Sequence, residues 1–277
     1  MIPSPSRSLV AGLLVLGAVA LLAGCAEDTV IGGETAISGR VVDPGGTGIP
    51  GVGVGVEYTS VAVASGSALP GAAAAAAVTL LSPYPNPATG AVEGDEIRIP
   101  IQVSTDTTLD VSILSPSSGV YRFEREIFSG LVTRDTTFRW NGRGGDGLLP
   151  NGLYRVRLTV PADPPAGVTP TVIEAPVLIN RSPALLEALL GFNANSDPGG
   201  GYLIGDLAVG QRIQATNAQG TSLGTQRIVE PVYLIFRSPD YQPEETQVFI
   251  APGDFVTVTT TLTPIFPAAV PALAGTP

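Results

Sequence analysis

Short apolar runs that alternate with polar residues and end in turns bearing Gly or Pro constrain this chain more tightly than any other feature. Ile97, Ile99, Ile101 and Val103 alternate cleanly, as do Leu109, Val111 and Ile113, and then Tyr154, Val156, Leu158 and Val160. A period of two puts every second side chain on one face of an extended strand, whereas a helix needs a period of about 3.6. Comparable runs occur at 36–43, 52–58, 121–123, 138–140, 172–179, 232–236, 248–250 and 255–262. The 34 Gly and 26 Pro form about a fifth of the 277 residues and supply the breaks between runs. This pattern predicts an all-β chain of short strands packed as two β-sandwich domains. One segment departs from it. Ser182, Pro183 and the apolar residues up to Leu190, followed by Gly191, carry the N-cap, first-turn proline and terminal glycine of one short helix. We expect that helix, over 181–190, to connect the two domains.

The side-chain inventory excludes much chemistry. All 14 basic residues are Arg, and the chain contains neither Lys nor His. Nucleophiles activated by imidazole, imidazole zinc sites, Schiff bases and phosphate-loop lysines are therefore ruled out. The formal charge of −10 disfavours nucleic acid and anionic headgroups as partners. Gly46, Gly48 and Gly51 match a dinucleotide-binding glycine spacing, but Pro50 and the strand pattern after it deny the helix that binding needs.

Residues 1–24 read as a secretory signal peptide, with Arg7 before an apolar stretch of 14 residues, Leu9 to Leu22, and small residues at Ala23 and Gly24. That stretch is short for a membrane span. Leu21-Leu22-Ala23-Gly24-Cys25 resembles the lipobox of bacterial lipoproteins. The resemblance implies that the Cys25 sulfur is alkylated by diacylglycerol and that Cys25 becomes the mature N-terminus. Cys25 is the only cysteine, so no intramolecular disulfide can form. Cleavage removes Arg7 and no acid, leaving 13 Arg against 24 acids, a formal −11, so lipid rather than charge is expected to hold the protein at the membrane. Ala26, Glu27 and Asp28 follow. A residue other than Asp after the cysteine is similar to the outer-membrane sorting rule of proteobacterial lipoproteins, and the acids beyond it resemble the surface-export signal of Bacteroidetes lipoproteins. A solvated acidic tether over 25–36 accounts for the same residues.

Two module resemblances organise the rest. Tyr84-Pro85-Asn86-Pro87, and the segment from Trp140 through Asn141-Gly142-Arg143-Gly144-Gly145-Asp146-Gly147 to Asn151-Gly152-Leu153-Tyr154, resemble the Ig-like domain of flagellar hook-capping (FlgD-type) proteins, over 82–180. The same pattern closes many type IX secretion sorting domains. Those sit at the extreme C-terminus, whereas nearly a hundred residues follow here, so the resemblance implies the fold and not a secretion signal. Asn195 to Gly210, with its polar-Gly turn and Tyr202 strand, resembles the middle of carboxypeptidase regulatory-like domains, which have a prealbumin-type sandwich. The opening hairpin of that family is similar to Ile37 to Asp43 followed by Gly48 to Val54. These resemblances imply a discontinuous domain, 37–58 with 191–264, into which the hook-capping-like domain is inserted; two linear domains would be incomplete and leave unpaired edges. Residues 59–81, rich in Ala, Gly and Ser, read as a linker or an irregular edge segment, and 265–277 as a Pro/Ala tail.

Candidate chemistry is sparse. Carboxylates are the only acid-base material: Asp95 with Glu96, Glu124 with Glu126, Glu244 with Glu245, and Asp106, Asp110 and Asp135. Glu124 and Glu126 are expected on one strand face, unlike the flanking pair of a glycosidase. Asp43 and Asn193 to Asp197 could offer oxygen to calcium, but turn chemistry explains them, and no metal or other cofactor is expected. Tyr84 and Tyr241, beside prolines in expected loops, are the candidate ligand platform for sugar rings, while Trp140 alternates with Phe138 and is expected in a core. In Val52 to Val56 the small Gly53 and Gly55 share one face, so a neighbour is expected to pack against that backbone. Arg155 and Arg157 are expected on an outer strand face, where they discourage aggregation.

The reading that follows is a non-enzymatic structural or protein-interaction module, anchored by Cys25 to a bacterial outer membrane or cell surface. Its partners are the membrane, through lipid, and an envelope or secreted protein. The alternative is a polysaccharide-binding lipoprotein, and the remote one a hydrolase that depends on carboxylates.

Overall fold

The computed structural model describes residues 34–63, 72–75, 77–89, 96–162 and 170–266. The signal peptide, Cys25, Asp95 and most of the Pro/Ala tail lie outside them. The described chain is nearly all β, with four sheets and one short helix.

Sheet I has three strands: β12 (Gly201–Ile204), β1 (Ala36–Val42) and β16 (Phe255–Thr261). Here β1 runs antiparallel to β12 and parallel to β16. Sheet II holds β11 (Ala194–Asn195), β2 (Gly53–Ala62), β14 (Ser222–Arg237) and β13 (Arg212–Thr216), with β15 (Glu244–Val248) also on β14. Alternation explains how the two sheets bury one core. Ile37, Val41 and Ile204 point inward from sheet I to meet Val54, Val56, Leu234 and Phe236 of sheet II, each less than a tenth exposed.

Sheets III and IV are built from the stretch between β2 and β11. Sheet III is β3 (Ala72–Ala75), β4 (Val78–Leu81), β5 (Ile97–Val103) and β8 (Thr136–Trp140). Sheet IV is β10 (Thr171–Ile179), β9 (Gly152–Val160), β6 (Thr107–Ser117) and β7 (Val120–Val132). Their shared core contains Ile97, Ile99, Ile101, Val111, Ile113, Val156 and Leu158. Trp140 is in it, 1% exposed, edge-on to Tyr154 at 5.8 Å, with its indole N–H donated to the Arg143 carbonyl. Leu153 and Leu178 come from the strands of sheet IV yet pack in the core of sheets I and II. The chain from residue 33 onward clusters as one unit.

Three expectations need correction. The segment 59–81 is not simply a linker: β2 runs on to Ala62, and Ala72–Ala75 pairs antiparallel with Val78–Leu81. A strand edge supplied by β4 outweighs the helix propensity of so short an alanine run. Residues 64–71 and 76 lie outside the described residues. The strand expected at 248–250 ends at Val248, although Val248 and Ile250 both enter the core with Phe249 exposed between them. The helix α1 (Pro183–Leu189) has Pro in its first turn, but the left-handed residue at its end is Leu190, φ 52°, and not Gly191. Nor is α1 only a connector. Leu186 presses on Gly55, and the Phe192 ring behind it covers Gly53, where a Cβ would collide with the ring. Arg237 fastens this packing with ion pairs to Glu187 of α1, at 3.2 Å, and to Glu245, at 3.0 Å.

Candidate functional site

Four asparagines and one arginine meet where the two pairs of sheets adjoin. The strand β2 needs a hydrogen-bonding neighbour on the edge away from β14, and β11 covers only Gly53 and Val54. Side chains replace a strand beyond that point. Asn193 Oδ1 accepts from the Val56 N–H at 3.0 Å, and Asn151 Nδ2 donates to the Val56 carbonyl at 2.7 Å. The Asn180 amide then makes a reciprocal pair with Tyr58, accepting from its N–H at 2.9 Å and donating to its carbonyl at 3.0 Å. An amide side chain carries the same donor and acceptor as a peptide group, so three asparagines satisfy the edge of β2.

The same residues reach into the second pair of sheets. Asn151, 2% exposed, donates to the Arg181 carbonyl at 2.9 Å and accepts from the Arg181 N–H at 2.8 Å. Asn193 Nδ2 donates to the Asn151 carbonyl at 2.7 Å. On another side Asn86 exchanges both backbone hydrogen bonds with Thr216, at 3.0 and 2.9 Å. Its side chain donates to the Pro176 and Gln214 carbonyls and accepts from the Leu178 N–H. Asp206 forms a separate clasp, with its carboxylate accepting from the Ser118 and Gly119 N–H groups at the β6–β7 turn, both at 2.8 Å.

Arg181 sits at the centre of this seam and is fully buried. Its Nη1 donates to the Leu149 carbonyl, while Nε and Nη2 have no hydrogen-bond partner among the described residues. Burial disfavours the charged guanidinium and pulls its pKa down to about 10, which the neighbouring Tyr154 only partly offsets.

Burial pushes Tyr58, Tyr154 and Tyr202 far above the ordinary phenol value of 10.0, and Tyr121 upward too, although Arg155 beside Tyr121 opposes the shift. A raised tyrosine contributes stability that is fully present below pH 10 and is lost as pH climbs toward its folded value. Arg181 acts in the opposite sense, because its neutralisation above about pH 10 relieves a buried charge. Each buried tyrosine costs about 1.4 kcal/mol per pH unit above its unfolded value, and the tyrosines outnumber the arginine. We therefore expect the urea midpoint to hold steady up to about pH 9.5 and to fall steeply above pH 10. A midpoint unchanged at about pH 11 would contradict this burial.

The residues expected from sequence are placed elsewhere. Tyr84 is half-buried, with the Arg98 guanidinium 5.7 Å from its ring centroid and Gly220 close against the ring. Tyr241 is half-buried against the core of sheets I and II and bridges to Pro264. The two tyrosines thus belong to different sheet pairs. Glu124 lies at a β-bulge in β7 and not in regular alternation with Glu126. Its carboxylate accepts from Ser115 Oγ at 2.9 Å and the Gly145 N–H at 3.2 Å, holding the glycine-rich loop before β9. Glu96 pairs with Arg139, and Asp135 accepts from the Val103 N–H. Asp43 and Asp197 each accept from the N–H groups two and four residues on, as turn chemistry requires. Among the described residues no group of three or more metal-ligating side chains converges. Arg155 and Arg157 do more than shield a strand, since both bind Glu174 on β10, at 2.8 and 2.6 Å. Partial burial works against the Glu174 charge, but the two arginine hydrogen bonds outweigh it and hold its carboxyl below the usual range.

Sequence reading missed the seam. Asn86, Asn151 and Asn180 adjoin Pro, Gly or Arg, which reads as turn chemistry, and their side-chain partners lie up to 128 residues away. The one available signal was that Asn86 and Asn151 each fall inside a motif with the hook-capping resemblance. No protein-family model matches the chain, and comparison with curated proteins finds no match.

Proposed function

We propose that this is a lipid-anchored protein of the cell envelope that acts as a non-catalytic structural or protein-interaction module. Cys25 carries the anchor, and the body presents its loops and faces at a fixed geometry. The observation that carries the reading is the asparagine seam. A junction in which buried amides satisfy each other's backbone restricts relative movement of the two sandwiches, as suits a spacer or a presenting scaffold more than a closing cleft. The engagement of Glu96, Glu124, Glu174 and Asp135 in structural contacts also supports a non-catalytic role. The arrangement of strands supports a further reading, that the carboxypeptidase regulatory-like domain is discontinuous and accepts the hook-capping-like domain between β2 and β11.

The test is a pull-down with the lipidated protein in detergent, run against solubilised envelope fractions and insoluble polysaccharides together. One saturable protein partner, retained in competition with glycan, is the expected result. Saturable glycan retention that is lost on substituting Tyr84 or Tyr241 would replace this reading with a polysaccharide-binding one.

A further inference from the structure

The outer face of sheet I carries two large exposed apolar side chains, beside the buried Ala36 and Val42. Register places Ser38, Leu203 and Thr257 in one row, and Phe255 lies opposite Ala36. The inward positions of these strands, Ile37, Ile204 and Val256, belong to the core, so Leu203 and Phe255 face outward. They are 59% and 63% exposed. The polar neighbours on this face are mostly hydroxyls, with Arg40 farther along the strand and Glu34 and Asp254 at its end.

The chain enters the body at the same place. The Ala36 N–H donates to the Asp254 carbonyl at 3.0 Å, and the Gly253 N–H donates to Thr35 Oγ1 at 2.7 Å. From Cys25 to Glu34 there are nine residue steps. Even a fully extended chain covers at most about 3.6 Å per residue, so lipid on Cys25 lies no more than about 32 Å from this end. We propose that the outer face of sheet I rests on the bilayer that holds the lipid of Cys25, with Phe255 and Leu203 entering the headgroup boundary. This inference rests on the lipidation reading above. Diacylglycerol supplies two acyl chains and anchors stably by itself, so apolar side chains entering the interface fix how the body sits on the bilayer and not whether it binds. Hydroxyls and Arg40 occupy the face itself, while the exposed acids Glu34 and Asp254 stay at its end, so zwitterionic headgroups suit it better than anionic ones.

The experiment reconstitutes the mature lipidated protein into phosphatidylcholine vesicles whose acyl chains carry bromine, which quenches nearby tryptophan. Phe255→Trp and Leu203→Trp report on the proposed face, Phe123→Trp on β7 is the exposed control, and the wild type, with buried Trp140 alone, gives the background. Vesicle flotation is measured on each sample. Flotation with quenching of F255W and L203W at least about threefold that of F123W, together with a blue-shifted emission, is the expected result. Flotation with equal quenching would overturn the inference while leaving the anchor intact. Failure of the wild type to float would overturn both the anchor and the inference. Blue-shifted F255W emission without quenching, in a protein of dimeric mass, would also overturn it, by assigning the face to a second copy.

Discussion

Asn151→Ala lowers the stability of the folded protein by roughly 3–5 kcal/mol, since it strands three backbone groups in a dry seam at about 1–3 kcal/mol each, with partial relief by relaxation. The orphaned groups are the Val56 carbonyl, the Arg181 carbonyl and the Arg181 N–H. Alanine fills less space and cannot bond any of them, and water has little access, because Asn151 is 2% exposed and Arg181 is fully buried. Asn151→Asp separates shape from chemistry. The side chain still accepts from the Arg181 N–H, but a carboxylate oxygen replaces the donor that faces the Val56 and Arg181 carbonyls at 2.7 and 2.9 Å. Oxygen facing oxygen and a buried charge make its loss at least as large as that of the alanine variant. Urea denaturation at pH 7.5 measures both, and a midpoint for Asn151→Ala within error of the wild type would mean the seam adds nothing to stability.

Gly39→Ala is expected to be as damaging, for a steric reason. A Cβ at position 39 would fall inside the contact distance of the Val258 carbonyl, and it would lie 2.8 Å from the Tyr202 hydroxyl. That hydroxyl donates to the same Val258 carbonyl at 2.9 Å, so tyrosine, carbonyl and glycine are packed without spare room. The parallel β1–β16 pair must separate to admit a methyl group, at a cost of about 3 kcal/mol or more. A soluble variant should show faster amide exchange along Phe255–Thr261 than the wild type. Wild-type stability in Gly39→Ala would show that β16 tolerates displacement.

The alternation that defines the fold was readable in the sequence because it is local. Ile97, Ile99 and Ile101 reveal an inward face without any knowledge of the partner strand, and the small face of Gly53 and Gly55 announced a close neighbour. The identity of that neighbour was not readable, since Phe192 and Leu186 lie far along the chain. The alanine run misled because intrinsic propensity is a weak guide beside an available strand edge. The seam was hidden for a related reason. An asparagine at a strand end has the same local signature whether it closes its own turn, as Asn217 does, or replaces a missing strand, as Asn180 does. Glu124 shows the limit of counting by twos, because one bulge moves it out of register with Glu126.

If the seam joins the two sandwiches into one mechanical body, they unfold together. Trp140 is the sole tryptophan and lies in the core of sheets III and IV, so its fluorescence reports on that pair alone. Hydrogen exchange of peptides from β1 and β14, read across the same urea series, reports on sheets I and II. Coincident midpoints are expected in the wild type and separated ones in Asn151→Ala. A wild type in which Trp140 is exposed at a urea concentration where β1 and β14 stay protected would contradict the joining of the two.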